Sequence, residues 1–371
     1  MKIARKTFMN YLSELYPAKG SGEENTSSNS FSFFSDDLNN NYIGATDNTM
    51  AVIKQIPEYI PGCKVPGEKL FQLIRKSTKV KELDIQVSEN SFDIVYDNNL
   101  ENVSNIMFSK YSASMLDRLD KPSDSLYQKL PENFIEAIMF CSPYVSQDRP
   151  QTLLNFVYAE GGKVCSGSSG EFVCAKLVGE VEKQFIPANY CKILSQYKPT
   201  HFCYFNDLLY YKNSENTIIV LQSVYSKERY PFVVTTKDFT QEELNSVKKQ
   251  NLMPKNMFRM ENSCEISFQN KEGSNDEIVD LISSCKIFSS NIEKPEKIKV
   301  NISDGKLVIE AIGASGKHKA SCEVQGNGVS LEFICNPQLL LDIVNRKHTV
   351  KTDGEKMIIM DKNFAHLIWL K

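Results

Sequence analysis

Histidine, tryptophan and long apolar runs are scarce in this chain of 371 residues. Its four histidines (His201, His318, His348 and His366) are not spaced for metal binding, and no CxxC pair occurs, so a structural or catalytic metal finds no support. No stretch approaches the length of a membrane span, and the opening MKIARKTFMNYLSELY is amphipathic rather than signal-like. These features predict a cytoplasmic protein without a membrane partner. Ten cysteines are far below the density of a disulfide scaffold, and most sit inside apolar patterns. They read as reduced, buried small hydrophobes. Positive charge is not in excess either: the net charge is −3, so a nucleic-acid role would need its cations gathered on one surface.

What the chain has instead is one unit written three times: two strands around a small polar turn, then a proline that opens an amphipathic helix. The first copy carries the turn Thr46-Asp47-Asn48 and Val65-Pro66 ahead of GEKLFQLIRK. The second has Ser168-Ser169-Gly170 and Ile186-Pro187 ahead of ANYCKILSQ, and the third has Ser315-Gly316 and Asn336-Pro337 ahead of QLLLDIVNR. Four and seven residues beyond each proline stand Leu70 and Leu73, Cys191 and Leu194, Leu341 and Val344, one helical face repeated. A further helix opens each copy, with faces Phe8, Leu12 and Leu15, then Phe134, Ile138 and Cys141, then Ile278, Leu281, Ile282 and Cys285 behind a Ser274/Glu277 capping box. Alternating runs such as LDIQVSENSFDIVYD and IKVNISDGKLVIEAI read as antiparallel strands joined at SEN, SDG and TDG turns.

The pattern predicts an α+β fold of three repeated domains, each with two helices against antiparallel sheets. Domains of about 110 to 125 residues fit the proline spacing if the longer second interval carries an insertion. The expected boundaries are 1–128, 129–234 and 262–371, with a connector at 235–261 holding a helix capped by Thr240 and Glu243.

Taken together, these stretches resemble the bacterial β-type DNA sliding clamp (DNA polymerase III subunit beta) over almost the whole chain. ATDNTMAVIKQIPE with VPGEKLFQLIRK is similar to that family's first domain. ENFIEAIMFCSPYVSQDRPQTLLNF, SGSSGEFVCAKL and ERYPF are similar to the second, and CKIFSSN, KLVIEAIGASGKHKASCEV, FICNPQLLLDIV and FAHLIWLK to the third. The shared motifs are short, which marks a divergent member, of phage rather than housekeeping type. The resemblance implies a crescent of three clamp domains that closes head to tail with a second copy into a ring around double-stranded DNA. Such a ring is a non-catalytic processivity factor without a cofactor, held by topology rather than by base reading. Its partners are the replicative DNA polymerase and the clamp loader.

The resemblance also assigns sites. Inner helices would meet phosphates through Arg5, Lys6, Lys69, Arg75, Lys76, Lys192, Lys198, Lys286, Arg346 and Lys347, and a loop would add Gln147 and Arg149. Each of these cations reads equally well as a solvated helix charge. Ring closure would set Ile106 and Phe108 against Ile287 and Phe288; all four also read as core residues. The partner-peptide pocket would comprise Leu154, Gly170, Glu171, Phe172, Val173, Pro231, Val234, Leu367, Ile368, Trp369 and Leu370. Gly170-Glu171-Phe172 stands where the family has Gly-His-Arg, and Ile368-Trp369-Leu370-Lys371 replaces its Met-Pro-Met-Arg end, so a differently shaped pocket is expected. Trp369 reads as a pocket wall in preference to a core anchor.

Two other classes compete with this reading. GGKVCSGSSG resembles a phosphate loop only superficially, because its lysine precedes the glycines and no helix follows; a hairpin fits better. A hydrolase built on Cys165 or Cys174 with a distant histidine, and a ring-less interaction scaffold derived from a clamp, are the alternatives. Paired acids at Asp36-Asp37 and Glu23-Glu24 read as solvated loop residues.

Overall fold

The computed structural model describes all residues except 21–26, 98, 108–114, 147–152, 169–170, 223–263, 271, 290–296, 314–315, 326–329, 346–348, 354–355, 361–363 and 370–371. Among the described residues stand six α-helices: α1 (Arg5–Leu15), α2 (Gly67–Lys76), α3 (Phe134–Cys141), α4 (Ala188–Tyr197), α5 (Asp276–Ser289) and α6 (Pro337–Asn345). The prolines sit where a missing N–H costs nothing: Pro66 and Pro187 immediately precede α2 and α4, and Pro337 is the first residue of α6. The repeated face is buried as expected in α4 (Cys191, Leu194) and α6 (Leu341, Val344). In α2 the buried pair is Leu70 and Ile74, with Leu73 half-buried, because the four-residue step keeps closer to one side of a 3.6-residue turn. The Ser274/Glu277 capping box does not form. α5 starts at Asp276, and the Ser274 hydroxyl instead donates to the Asp276 carboxylate at 2.9 Å.

The strands follow the threefold pattern, with two long strands in the second copy where the first and third have four. Each copy opens on a short strand (Lys2–Ala4, Gln128–Lys129, Cys264–Ser267) and closes on a meander. The meanders are Glu82–Val87, Ser91–Tyr96 and Asn99–Met107; His201–Phe205, Leu208–Lys212 and Thr217–Gln222; Thr349–Thr352, Lys356–Met360 and Phe364–Trp369. In every copy the opening strand returns to pair with the first meander strand, through Ile3↔Leu83, Phe202↔Gln128 and Ile266↔Val350. Between the two helices of each copy lies the other half of the unit: Ser30–Ser35, Asn41–Thr46, Met50–Ile56 and Cys63–Pro66 in the first; Phe156–Gly167 and the long Glu171–Pro187 in the second; Ile298–Ser303, Lys306–Gly313, Gly316–Glu323 and Ser330–Cys335 in the third. Strict alternation explains the last of these strands, which buries Leu331, Phe333 and Cys335 and leaves Ser330, Glu332 and Ile334 outside. The SDG turn closes its hairpin with positive φ at Asp304 and Gly305, a conformation that favours these residue types.

The chain divides into two compact units, Met1–Met139 with Val178–Ser226 and Phe140–Leu177 with Lys227–Lys371. Neither is a single repeat, because sheets run on from one copy into the next. In the first unit an eight-stranded sheet contains strands of the first copy and the meander of the second. In the second unit a six-stranded sheet contains the hairpin of the second copy and the meander of the third. The cores are mainly apolar; Phe8, Leu12 and Leu15 of α1, for example, are fully buried. Each such side chain contributes about 1.5–3 kcal/mol of transfer free energy.

Candidate nucleic-acid and partner interfaces

The first candidate surface lies on helices. In the first unit α1 packs on α2, and Arg5 joins them: its guanidinium donates to the carbonyl oxygens of Ile74 (3.0 and 2.8 Å) and Arg75 (3.0 Å). Arg5 therefore supplies donors to the unpaired C-terminal carbonyls of α2, where a cation also opposes the helix dipole. In the second unit α5 and α6 repeat the device with a neutral side chain, Asn275 Nδ2 donating to the Val344 carbonyl at 2.8 Å. Lys6, Lys69, Arg75, Lys76, Lys192 and Lys198 are exposed, whereas Lys286 is half-buried and donates to Gln338 Oε1 at 2.9 Å. Lys198 takes a left-handed conformation, φ 47°, at the end of α4. Exposed Lys79 and Lys81 prolong the basic end of α2. The run RKSTKVK announced them, but attention to helical positions alone passed over them. Gln147, Arg149, Arg346 and Lys347 lie outside the described residues.

The second candidate surface is a pair of sheet edges. The strand that follows the small turn in the first copy, Met50–Ile56, pairs with the last meander strand of the second copy, with Met50 opposite Leu221 and Lys54 opposite Thr217. The equivalent strand of the second copy pairs with the last strand of the third, with Glu171 opposite Ile368 and Ala175 opposite Phe364. The corresponding strand of the third copy, Gly316–Glu323, ends its sheet order at one edge among the described residues. The last strand of the first copy, Asn99–Met107, likewise ends the order of its own sheet. On that strand Ile106 is buried while Val103 and Met107 are 46% and 68% exposed. Beside the other edge, Ile287 is 70% exposed, and the ring of Phe288 stacks on His318 with centroids 5.0 Å apart. Phe108 lies outside the described residues.

The third surface surrounds the joint in the second unit. Phe172 and Leu367 are buried on one face of the sheet and Val173 and Ile368 on the other, while Leu154, Glu171 and Trp369 are half-buried. His366, 5% exposed, brings Nε2 within 3.2 Å of Glu171 Oε2 and sets its ring edge-on to Tyr144, centroids 4.6 Å apart. Phe140 continues the chain of rings, 6.0 Å from Tyr144 and 4.3 Å from Phe364. Burial pushes the Cys335 thiol upward, and the charge of Glu171 adds to that. The aromatic and histidine members were not anticipated. Their signal was present as Phe140 and Tyr144 one helical turn apart and as the same-face alternation Phe364, His366, Ile368. Gly170, Pro231, Val234 and Leu370 lie outside the described residues.

A fold of repeated helix pairs and copy-to-copy sheets is that of the bacterial sliding clamp. Three solved structures of such proteins align with the chain over its full length. The DNA polymerase III subunit beta from Pseudomonas aeruginosa matches with a TM-score of 0.72 at 15% identity, covering 100% of this chain and 99% of that one. The beta chain from Streptococcus pneumoniae matches with a TM-score of 0.75 at 14% identity, covering 100% and 98%. The H. pylori beta clamp in complex with diflunisal matches with a TM-score of 0.70 at 11% identity, covering 100% and 99%. The sequence itself matches no protein-family model and no curated protein.

Proposed function

We propose that this protein is a DNA polymerase sliding clamp: a processivity factor, not an enzyme, that encircles duplex DNA and tethers a replicative polymerase. The observation that carries the reading is the unfinished series of joints. Two copy-to-copy strand pairings are made within the chain, and the two strands that would make a third stand at sheet edges. A second copy of the chain completes the series head to tail, which gives a closed ring of six repeats. The repeats are taken as 1–128, 129–234 and 262–371, with 235–261 as a connector.

The register of closure follows from the internal joints. Met50 and Glu171 come directly after their turns and pair with Leu221 and Ile368, each next to last in its strand. By the same rule Gly316 pairs with Ile106 of the second copy, which sets Lys319 opposite Val103. Phe288, held by the ring of His318, and Ile287 then cover the seam, with Phe108 as their expected counterpart. A ring lined by the exposed cations of the helices holds DNA through phosphates alone, and the chain's net negative charge is compatible with this because only the inner faces need be basic. The rim of Leu154, Glu171 and Trp369 takes the apolar peptide of the polymerase and of the clamp loader.

Retention on circular DNA tests the reading. Protein loaded on a nicked circle should remain bound through a salt wash and run off once the circle is cut. Equal retention on circle and linear DNA, or a 42 kDa monomer at micromolar concentration, would favour a ring-less scaffold instead.

A further inference from the structure

Ten free cysteines are spread through the chain, and one pair differs from four of the others in what its sulfurs touch. Cys141, Cys191, Cys264 and Cys285 all give their S–H to backbone carbonyls, at 3.4 to 3.9 Å. Cys165 Sγ instead lies 3.0 Å from Cys174 Sγ, and both side chains are buried, at 1% and 2% exposure. The backbone explains the approach. The strands Phe156–Gly167 and Glu171–Pro187 are sheet neighbours, and the Ser168 N–H donates to the Glu171 carbonyl at 2.8 Å where they meet. Each step back along one strand is a step forward along the other, so Cys165 stands directly opposite Cys174. Ladder bonds alternate in an antiparallel pair, which makes this a non-hydrogen-bonded position. Such positions bring Cα atoms to about 4.5 Å, inside the range a disulfide spans.

We propose that Cys165 and Cys174 are a redox modification site, closing reversibly into a cross-strand disulfide under a peroxide oxidant. The thiolate of one cysteine attacks a peroxide oxygen, the O–O bond breaks, and a sulfenic acid and one water form. The second thiol attacks the sulfenic sulfur, the S–S bond forms, the S–O bond breaks and a second water leaves. Two thiols lose two electrons in all, and hydrogen peroxide gains them. Burial, with Cys174 as neighbour, pushes the Cys165 thiol well above its ordinary value, so thiolate is scarce in the closed hairpin and oxidation is slow. The proposal does not depend on the clamp reading, although it bears on it. Cys174 is in register with Ala365, and the locked strand is the one that carries Glu171 and Phe172 into the joint.

Peptide mapping of the full-length protein decides the matter, because trypsin cutting at Lys163 and Lys176 releases both cysteines on one peptide, 164–176. After hydrogen peroxide, denaturation and alkylation, this peptide should be two hydrogens lighter and unlabelled, and dithiothreitol should restore double labelling. Cys141→Ala should leave the product intact, while Cys174→Ala should abolish it. A doubly alkylated peptide after full peroxide exposure of the unsubstituted protein would overturn the proposal. So would a disulfide from either cysteine to Cys141, the third thiol near Cys165. Both readouts come from the unsubstituted chain, so a variant that fails to fold leaves the test standing.

Discussion

The two internal joints are built on one plan and finished differently. In the first unit the joint is sealed. Val52 pairs with Ile219 and Ala51 with Val220, all with 3% exposure or less, and Leu116, Tyr42, Cys203 and Tyr210 belong to the cluster that packs on it. Its ionic groups serve the seam itself: Lys54 reaches Glu14 at 2.6 Å, and Thr217 donates to the same carboxylate at 2.5 Å. In the second unit the ladder is equally apolar beneath, but Glu171, His366 and Trp369 gather at its end. Identical backbone pairing therefore supports a structural seam in one place and a chemically varied rim in the other. The strands at the sheet edges, Asn99–Met107 and Gly316–Glu323, add a third case, which on the proposed ring a second copy would pair.

The largest effect should come from breaking the sealed joint. Ile219→Ala removes fully buried methylenes from the centre of the eight-stranded sheet and is expected to destabilise the first unit by about 2–5 kcal/mol, read from urea unfolding. A loss below about 1 kcal/mol would mean the joint can repack and is not sealed. Trp369→Ala at the other joint should leave unfolding nearly unchanged, yet weaken binding of the cognate polymerase peptide by about 2 kcal/mol, the scale of a buried aromatic anchor. Unchanged peptide affinity measured by calorimetry would remove Trp369 from the pocket.

A smaller effect is expected at the edges. Val103→Lys sets a cation opposite Lys319 in the inferred register and should weaken the dimer roughly tenfold, about 1.4 kcal/mol, by sedimentation equilibrium. Lys319→Glu on the same chain should then restore association. Failure of that rescue, with the dimer weakened, would shift the register and leave the ring.

Much of this was legible in the residues. The three prolines fixed where the second helix of each copy starts, because proline tolerates few other helical positions, and the α+β class followed from two clean periodicities. The partner of each strand was not legible. Nothing in ATDNTMAVIKQIPE says that Met50 will meet Leu221, since pairing between distant strands depends on which apolar faces the fold buries together. Nor was it legible that the guanidinium of Arg5, which the resemblance assigns to phosphates, donates to carbonyls at the end of α2, because that contact depends on how α1 packs on α2. Ile106 and Phe172, which the resemblance assigns to an interface and a pocket, are both buried, and apolarity alone marks a core and an interface alike.

The smallest effect concerns a polar tie beside the sealed joint. Asp36 accepts hydrogen bonds from the Asn40 backbone and side chain (2.9 and 3.1 Å), from the Tyr42 hydroxyl (2.9 Å) and from Lys121 (3.2 Å). Lys121 also sits 3.1 Å above the centre of the Tyr42 ring, so the tie links the strand beside the joint to the segment that leads toward the second copy. Burial alone would raise the Asp36 carboxyl, but these donors outweigh it and hold the group well below the usual carboxylate range. A folded-state value depressed in this way adds stability that is fully present above the unfolded value of about 3.9 and is lost as pH falls through the folded value. Asp36→Asn should therefore flatten the acid limb of the first unit's stability curve and leave the second unit's limb unchanged. Parallel acid limbs for the two proteins, followed by fluorescence or circular dichroism below pH about 4, would mean that the tie contributes nothing to the seam.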